Sequence, residues 1–137
     1  MDEVFLLPPA PIAMPRAYWL WHDHEEVDAD HAELSSQMVL IMPNADEYKG
    51  VMDATIEHES AGEMDILNAE YLKSAMVLPH RPYDLVTGEF RYKSHTAYLG
   101  NEHEVWDPEV VLQEAKYLHF SDWPIPKVSP TLCQFDS

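Results

Sequence analysis

The stretch KYLHFSDWPIPK at residues 116–127 joins a side chain that can bind a metal ion to one that can bind a phosphate. A short apolar run ends at His119, and a proline-rich turn then leads to Lys127. A histidine at the carboxyl end of a parallel strand faces the crevice where α/β proteins bind ligands, and its ring can bind a metal. The lysine after the turn can reach a phosphate of the same ligand. The alternative is a strand-edge histidine and a surface lysine without a ligand.

A second candidate site lies in the sequence EMDILN at residues 63–68, at the start of a predicted helix. Glu63 and Asp65 fall in the first turn, where the partial positive charge of the helix keeps carboxylates ionised. Asn68 adds another polar group near the same helix end. Acidic residues in a first turn also simply complement the helix dipole, so a structural interpretation stands beside the functional one.

The third candidate is the acidic, histidine-rich stretch HDHEEVDADH. Its possible metal ligands are three imidazoles and two carboxylates: His22, His24, His31, Asp28 and Asp30. Side chains this dense can hold a transition metal, and the stretch contains a DxD triplet. Such triplets follow a buried strand, which fixes their carboxylates. Here the residues before the triplet are acidic and are predicted to form a loop. The alternative, a solvated surface loop over about residues 21–33, follows from the charge.

Charge and composition exclude several classes of function. The 137-residue chain carries a formal net charge of -17, with 8 Lys and Arg against 25 Asp and Glu. Nucleic acid and anionic membranes would repel it. Its one cysteine, Cys133, permits neither an intrachain disulfide nor a CxxC zinc site. We also expect a soluble chain, because no apolar run approaches the roughly 20 residues of a membrane span.

The elements that must position these candidates alternate between strands and helices. Strands are predicted at residues 12–14, 38–42, 75–78 and 115–120. The run MVLIM at 38–42 is continuously apolar, which is typical of a strand buried on both faces of a parallel sheet. Residues 80–107 are predicted to be irregular, with short pieces of structure. The order predicts an α/β domain over residues 1–137 with a mixed sheet flanked by helices.

Three helix starts are predicted from capping patterns. Asn44 with Glu47 and Ser60 with Glu63 match the spacing of capping boxes. Apolar residues at helical spacing follow each of them. Pro108 fits the first turn of a third helix, which should end near residue 114.

Four stretches, in order and spacing, resemble family 8 glycosyltransferases, the glycogenin-like enzymes of the GT-A fold. The closest resemblance is to fungal glucose N-acetyltransferase-like (N-acetylglucosaminyltransferase) members. The stretches are FLLPPAPIAMPRAYW, LSSQMVLIMPN, EMDILN, and VLPHRPYDLVTGEFR leading on to KYLHFSDWPIPK. Together they cover most of the chain outside the acidic loop and the last residues.

The resemblance implies transfer of a hexose from a nucleotide diphosphate sugar, such as a UDP-sugar, to a hydroxyl of a sugar or protein acceptor. Retention at the anomeric carbon and a manganese ion on the diphosphate are implied with it. By the family's motifs, His119 would be a metal ligand and Lys127 would contact the diphosphate. Glu63, Asp65 and Asn68 would orient the donor sugar.

Several positions depart from the family pattern. Ser35, on the donor-sugar side, stands where relatives outside the fungal group often have asparagine. Met64 stands where many relatives have glutamine, and the Ser121-Asp122 turn replaces an expected glycine.

The largest departure concerns the first half of the family's domain, with its nucleotide-binding strands and strand-borne DxD. Residues 1–5 resemble those that follow that DxD. The resemblance therefore implies the C-terminal part of a transferase domain, truncated and weak or inactive alone. The alternative is a non-catalytic binding or regulatory module derived from that fold. An exposed sheet edge at 38–42 would then favour homo- or hetero-association.

Relatives occur in the cytoplasm and in the Golgi lumen, so the compartment stays open.

Overall fold

The computed structural model describes residues 2–21 and 32–121. Within these ranges the strands are β1 (Ile12–Pro15), β2 (Leu40–Ile41), β3 (Met76–Leu78), β4 (Leu85–Val86) and β5 (Leu118–His119). The α-helices are α1 (Ala45–Glu57), α2 (Glu63–Tyr71), α3 (His80–Tyr83), α4 (Thr96–Leu99) and α5 (Pro108–Glu114). Short 3-10 helices span Asp2–Leu6, Tyr18–Trp21 and Thr87–Arg91.

The strands form two small sheets. In the first, of order β2-β1-β3, the central β1 is antiparallel to β2 and parallel to β3. In the second, β4 is parallel to β5, with Leu85 opposite Leu118 and Val86 opposite His119. A mixed α/β arrangement with flanking helices is thus confirmed.

The prediction for MVLIM was wrong. Only Leu40–Ile41 pairs, as an antiparallel edge strand, and Ile41 is 59% exposed. The serine hydroxyl of Ser35 accepts a hydrogen bond from the Gln37 backbone N–H at 3.1 Å, which bends the chain before the strand. Pro43 then ends it. An apolar run alone does not tell a buried strand from an edge strand.

Helix α1 begins as predicted, because the Asn44 side chain accepts a hydrogen bond from the Asp46 N–H at 2.8 Å. Helix α2 begins later than predicted: its N-cap is Gly62 and not Ser60. A turn closed by the Ala61 N–H on the His58 carbonyl occupies the intervening residues. The Asp65 carboxylate, at the third helical position, accepts from the Gly62 N–H at 3.0 Å, which is the half of a capping box that reaches back to the N-cap.

Buried side chains form two clusters. The first, between β1 and α2, contains Ile12, Met14, Leu34, Leu67 and Tyr71. The second, around β4 and α5, contains Tyr18, Leu85, Val86, Tyr98 and Val111. Helix α5 starts at Pro108, as predicted, with Asp107 as its N-cap. No helix in the described ranges combines the length and apolar character needed to cross a membrane.

Polar contacts fix the segment predicted to be irregular, which contains α3, β4, a 3-10 helix and α4. The guanidinium of Arg81 donates to Glu104 at 2.8 Å and to Glu114 at 2.6 Å. At the other end of the chain, the Glu3 carboxylate accepts from the Tyr83 hydroxyl at 2.7 Å and from the Lys116 ammonium. These pairs tie α3 to α5 and to the first residues of the chain.

Candidate functional site

An open pocket of about 410 Å³ lies at the carboxyl ends of the parallel strands β4 and β5. Two aromatic residues, one cationic residue, three polar or small residues and one aliphatic residue line it: Trp19, Tyr92, Arg91, Gln37, Gly88, Ser121 and Val86. The carboxyl end of parallel strands is where α/β proteins bind ligands. Aromatic walls with a few polar groups suit a ligand that has both an apolar face and hydrogen-bonding groups.

Hydrogen bonds between the two strand ends fix the floor of this pocket. The Ser121 N–H donates to the Thr87 hydroxyl at 3.0 Å, and the Gly88 N–H donates to the Ser121 hydroxyl at 3.3 Å. A Cβ added to Gly88 would lie 3.4 Å from the Ser121 oxygen, so the two segments already approach closely. The Val86 N–H donates to the buried Tyr18 hydroxyl at 3.2 Å.

His119 stands on β5 next to the pocket. Strand β5 ends at His119, and Ser121, two residues further on, lines the pocket, whereas His119 itself does not. The Tyr117 hydroxyl lies 3.4 Å from His119 Nδ1. The imidazole is half-buried. The other side chain predicted in this stretch, Lys127, lies outside the described residues, as does the HDHEEVDADH segment.

Asn68 acts on the backbone. Its Oδ1 accepts from the Leu34 N–H at 2.7 Å, and its Nδ2 donates to the carbonyls of Leu34 and Met64, both at 2.8 Å. The amide therefore holds both polar backbone groups of the residue next to Ser35. Two residues predicted from separate motifs, Asn68 and Ser35, are brought together in this way.

Glu63 and Asp65 lie on the exposed first turn of α2. Neither lines the pocket beside His119, and the Asp65 carboxylate is engaged with the Gly62 N–H. The structure thus sets Asn68 beside Ser35 through Leu34, and His119 on the strand that leads to the pocket residue Ser121. It leaves the two acidic residues of α2 on the surface.

Gln37 and Asp84 were not predicted from the sequence, although both lie near Ser35. Gln37 lines the pocket, and its N–H donates to the buried Ser35 hydroxyl. Asp84 is fully buried directly before β4. Burial raises the pKa of Asp84 to about 6, and the neighbouring Ser35 hydroxyl lowers it by a smaller amount. The signal available in the sequence was a lone carboxylate before the apolar pair in PYDLV.

The described residues do not by themselves fit manganese. Among them, no group of three or more His, Cys, Asp or Glu side chains lies close enough to hold a metal ion. His119 supplies one ring nitrogen, and one imidazole is too few ligands for a hard divalent ion that prefers oxygen donors.

Comparison with known proteins gives two matches that extend over nearly all of the chain. It is 51% identical over 131 residues to Glucose N-acetyltransferase 1 of Gibberella zeae. It is 48% identical over 138 residues to the protein of the same name from Aspergillus fumigatus. The chain is similar to part of a transferase. Both matches cover 93% of this chain, which spans only 28% and 34% of the relatives' own lengths.

A more distant relative of the same name, from Debaryomyces hansenii, is 31% identical over 91 residues. That match covers 53% of this chain and 19% of the relative. No protein-family model matches the chain, and no solved structure is significantly similar to it.

Proposed function

We propose that this chain is part of a retaining hexosyltransferase domain of the GT-A type, related to family 8. Such a domain transfers a sugar from a nucleotide diphosphate sugar to an acceptor hydroxyl. The observation that carries the proposal is the identity of about half to two proteins named as transferases, over 93% of the chain. The aromatic and polar pocket at the ends of β4 and β5 supports a sugar as the ligand.

The proposed roles are those that the resemblance to family 8 implies. His119 is one ligand of a divalent metal, Lys127 contacts the donor diphosphate, and Glu63 and Asp65 contribute at the donor-sugar side. The side-chain amide of Asn68 hydrogen-bonds to the backbone of Leu34, so Asn68 contributes by fixing the position of the adjacent Ser35.

We expect the chain alone to have negligible transferase activity, because one imidazole does not hold the metal that balances a leaving diphosphate. The test is release of UDP from UDP-N-acetylglucosamine or UDP-glucose with manganese chloride and a sugar acceptor. The expected rate equals that of a protein-free control. Sustained UDP release would contradict inactivity, while still supporting a sugar transferase. Formation of acetylated glucose from acetyl-coenzyme A in a parallel assay would favour acetyl transfer, which the relatives' name describes literally.

Sugar binding is tested separately from turnover. N-acetylglucosamine is titrated into the ¹⁵N-labelled protein, and we expect the Trp19 indole signal to shift. Replacing the pocket residue Tyr92 by alanine should weaken binding. Replacing Tyr48, an exposed tyrosine of α1 outside this pocket, provides the matched control. A Trp19 signal that never moves would overturn the assignment of the pocket to a sugar.

A second candidate is a non-catalytic module that pairs with a complete transferase. The exposed edge of the first sheet favours it, because Ile41 and Met42 on one side and Val77 on the other are largely open to solvent. Size-exclusion chromatography of the chain mixed with the complete Aspergillus fumigatus relative tests this candidate. Separate elution at micromolar concentration would exclude a stable pair.

A further inference from the structure

An apolar groove of about 570 Å³ lies on the first core, between α1, α2 and the residues around β2. Its walls include Ile41 of β2, Tyr48 and Val51 of α1, and Leu67 and Tyr71 of α2. In the part of the chain that the structure describes, the groove shares no lining residue with the pocket at β4 and β5. It is therefore a separate surface with its own chemistry.

Helix α1 extends this apolar surface toward the solvent. Its core side holds Val51 and the buried Ala54. On another side, Tyr48, Met52 and Ile56 follow one another at four-residue spacing and are 68%, 41% and 73% exposed. A surface helix usually has one apolar side, which packs on its own core. The three exposed residues form a second apolar stripe, and exposed apolar surface of this kind marks sites of protein interaction.

The two helices beside the groove are strongly acidic. Together α1 and α2 carry seven Asp and Glu residues against a single basic residue, Lys49. The Lys49 ammonium is paired with the carboxylate of Asp53 on the next turn of α1. The next basic residue along the chain, Lys73, follows the end of α2. The negative charge of this region is thus largely uncompensated within the two helices.

Two of these carboxylates flank the groove itself. Glu47 lines it, and its carboxylate accepts a hydrogen bond from the Tyr71 hydroxyl at 2.8 Å. This bond leaves the negative charge in place, because a tyrosine hydroxyl is a neutral donor. Glu70 lies on the side of α2 that faces α1, since a Cβ on Gly50 would be 4.0 Å from its carboxylate oxygen. The groove is apolar inside and negative at its rim.

These features select one kind of occupant. A second copy of the chain would set like charges against one another at this rim, and an anionic membrane would be repelled for the same reason. A small apolar ligand would fill the groove but leave Met52 and Ile56 uncovered. A helix with apolar residues on one side and lysines or arginines along its edges matches the groove, the stripe and the rim together.

We propose that the groove between α1 and α2, with the stripe of Tyr48, Met52 and Ile56, docks an amphipathic helix of another protein whose apolar side is flanked by basic residues. The apolar side chains of the partner enter the groove and cover the stripe. Its basic side chains pair with Glu47 and Glu70. The inference does not depend on sugar transfer, because the groove lies apart from the pocket.

The test uses the complete chain and a synthetic helix of about 15 residues, made of lysines and of leucines at helical spacing. Two matched peptides each keep one property: glutamates replace the lysines in the first, and serines replace the leucines in the second. In ¹⁵N spectra, the leucine–lysine helix should shift the amide signals of α1, including Gly50, and leave those of α5 in place. The matched peptides should bind at least about 10-fold more weakly.

The peptide comparison can overturn the proposal in three ways. Equal binding of the leucine–glutamate peptide would remove the role of charge. Equal binding of the lysine–serine peptide would remove the role of the groove. Signals that shift over the whole chain, and not chiefly in α1, would show general attraction to an acidic surface instead of docking at one site.

Substitutions on the stripe test its location. Tyr48→Ala and Ile56→Ala should each weaken binding of the leucine–lysine helix about 5-fold or more, as expected for central contacts of an interface. Tyr92→Ala removes an exposed tyrosine that lies outside the groove and should leave the affinity unchanged. Wild-type affinity in both Tyr48→Ala and Ile56→Ala would overturn the proposal.

Substitutions at the rim test its charge. Glu47→Gln and Glu70→Gln nearly keep the shape of the side chains, and each should weaken binding by up to about 5-fold and reduce its dependence on salt. Glu102→Gln, at an exposed position outside both helices, controls for the change in net charge. A loss as large in Glu102→Gln would show that only the overall charge attracts the peptide, which would overturn the role of the rim.

Salt separates this docking from self-association. Binding of the basic helix should weaken as salt rises, whereas salt relieves the repulsion between two copies of the chain. If salt instead drives a dimer whose formation shifts the amide signals of Met52 and Ile56, a second copy covers the stripe and the proposal is overturned.

Discussion

The side chain of Asn68 makes three hydrogen bonds, to the backbone of Leu34 and of Met64. Replacing it by alanine removes three hydrogen bonds and leaves the N–H and carbonyl of Leu34 without their partners. We expect Asn68→Ala to lower the free energy of unfolding by about 1–3 kcal/mol, the cost of stranding buried polar groups. Urea denaturation measures the change. Asn68→Asp keeps the acceptor for the Leu34 N–H but sets a carboxylate oxygen against the carbonyls of Leu34 and Met64, so it should not restore the lost stability. An alanine variant as stable as wild type would contradict the backbone role.

The buried carboxyl of Asp84 predicts a specific pH dependence of stability. Its pKa rises from 3.8 to about 6 on folding, so the folded state binds the proton more tightly. The stabilisation from this proton is complete below pH 3.8 and is lost as pH rises through about 6. The full difference is up to about 3 kcal/mol.

The matching variant is Asp84→Asn, whose side chain stays neutral. Unfolding in urea at pH 4 to 7 should show that wild type loses stability relative to Asp84→Asn as pH rises. Asp53→Asn, at an exposed site, controls for the change in net charge. A constant difference between wild type and Asp84→Asn across this range would contradict the buried, raised-pKa state.

Among the elements, the two helix starts give a paired test. The Asn44 side chain caps α1, so Asn44→Ala should cost about 0.5–2 kcal/mol of unfolding free energy. Ser60 matches the same sequence pattern but lies ahead of the actual N-cap, Gly62. Ser60→Ala should therefore change the urea midpoint little. Equal losses in both variants would show that α2 begins at Ser60 after all.

The elements also show what a sequence can specify. The starts of α1 and α5 were predictable because Asn44 and Asp107-Pro108 act within their own first turns. MVLIM misled because its fate depends on Ser35 bending the chain and on pairing with β1, which no local pattern encodes. Ser35 itself was named only because of the resemblance to the family's motif, not from a local structural pattern.

The same limit explains what was missed at the site. The relation of Asp84 to Ser35 joins segments far apart in the sequence. Gln37 reaches the pocket through a turn made by a serine side chain. Neither feature has a periodicity or spacing that could be read in advance. His119 could be placed at a strand end because an apolar run preceding a proline-rich turn is a local signal.

For the whole molecule, repulsion between chains that each carry a net charge of -17 opposes association through the exposed apolar edge. We predict that the chain associates with a second copy through β2, weakly at low salt and more strongly as salt screens the repulsion. Ile41→Lys adds a charge to this edge and should abolish the salt-dependent association in sedimentation velocity. Val105→Lys, at an exposed position outside the sheets, is the control. Salt-independent monomers at high concentration would contradict the prediction.

The carboxylate of Glu3 accepts hydrogen bonds from Tyr83, which is 80 positions further along the chain, and from Lys116, which is 113 positions further along. Closing loops of this length is entropically unfavourable until much of the chain is already ordered, so such contacts form late in folding. Lys116 lies just ahead of the strand that carries His119. We therefore expect the helical signal of α1 and α2 to return during refolding before the surroundings of the imidazole are formed. A stopped-flow comparison of helix content with histidine reactivity would resolve the two events in time.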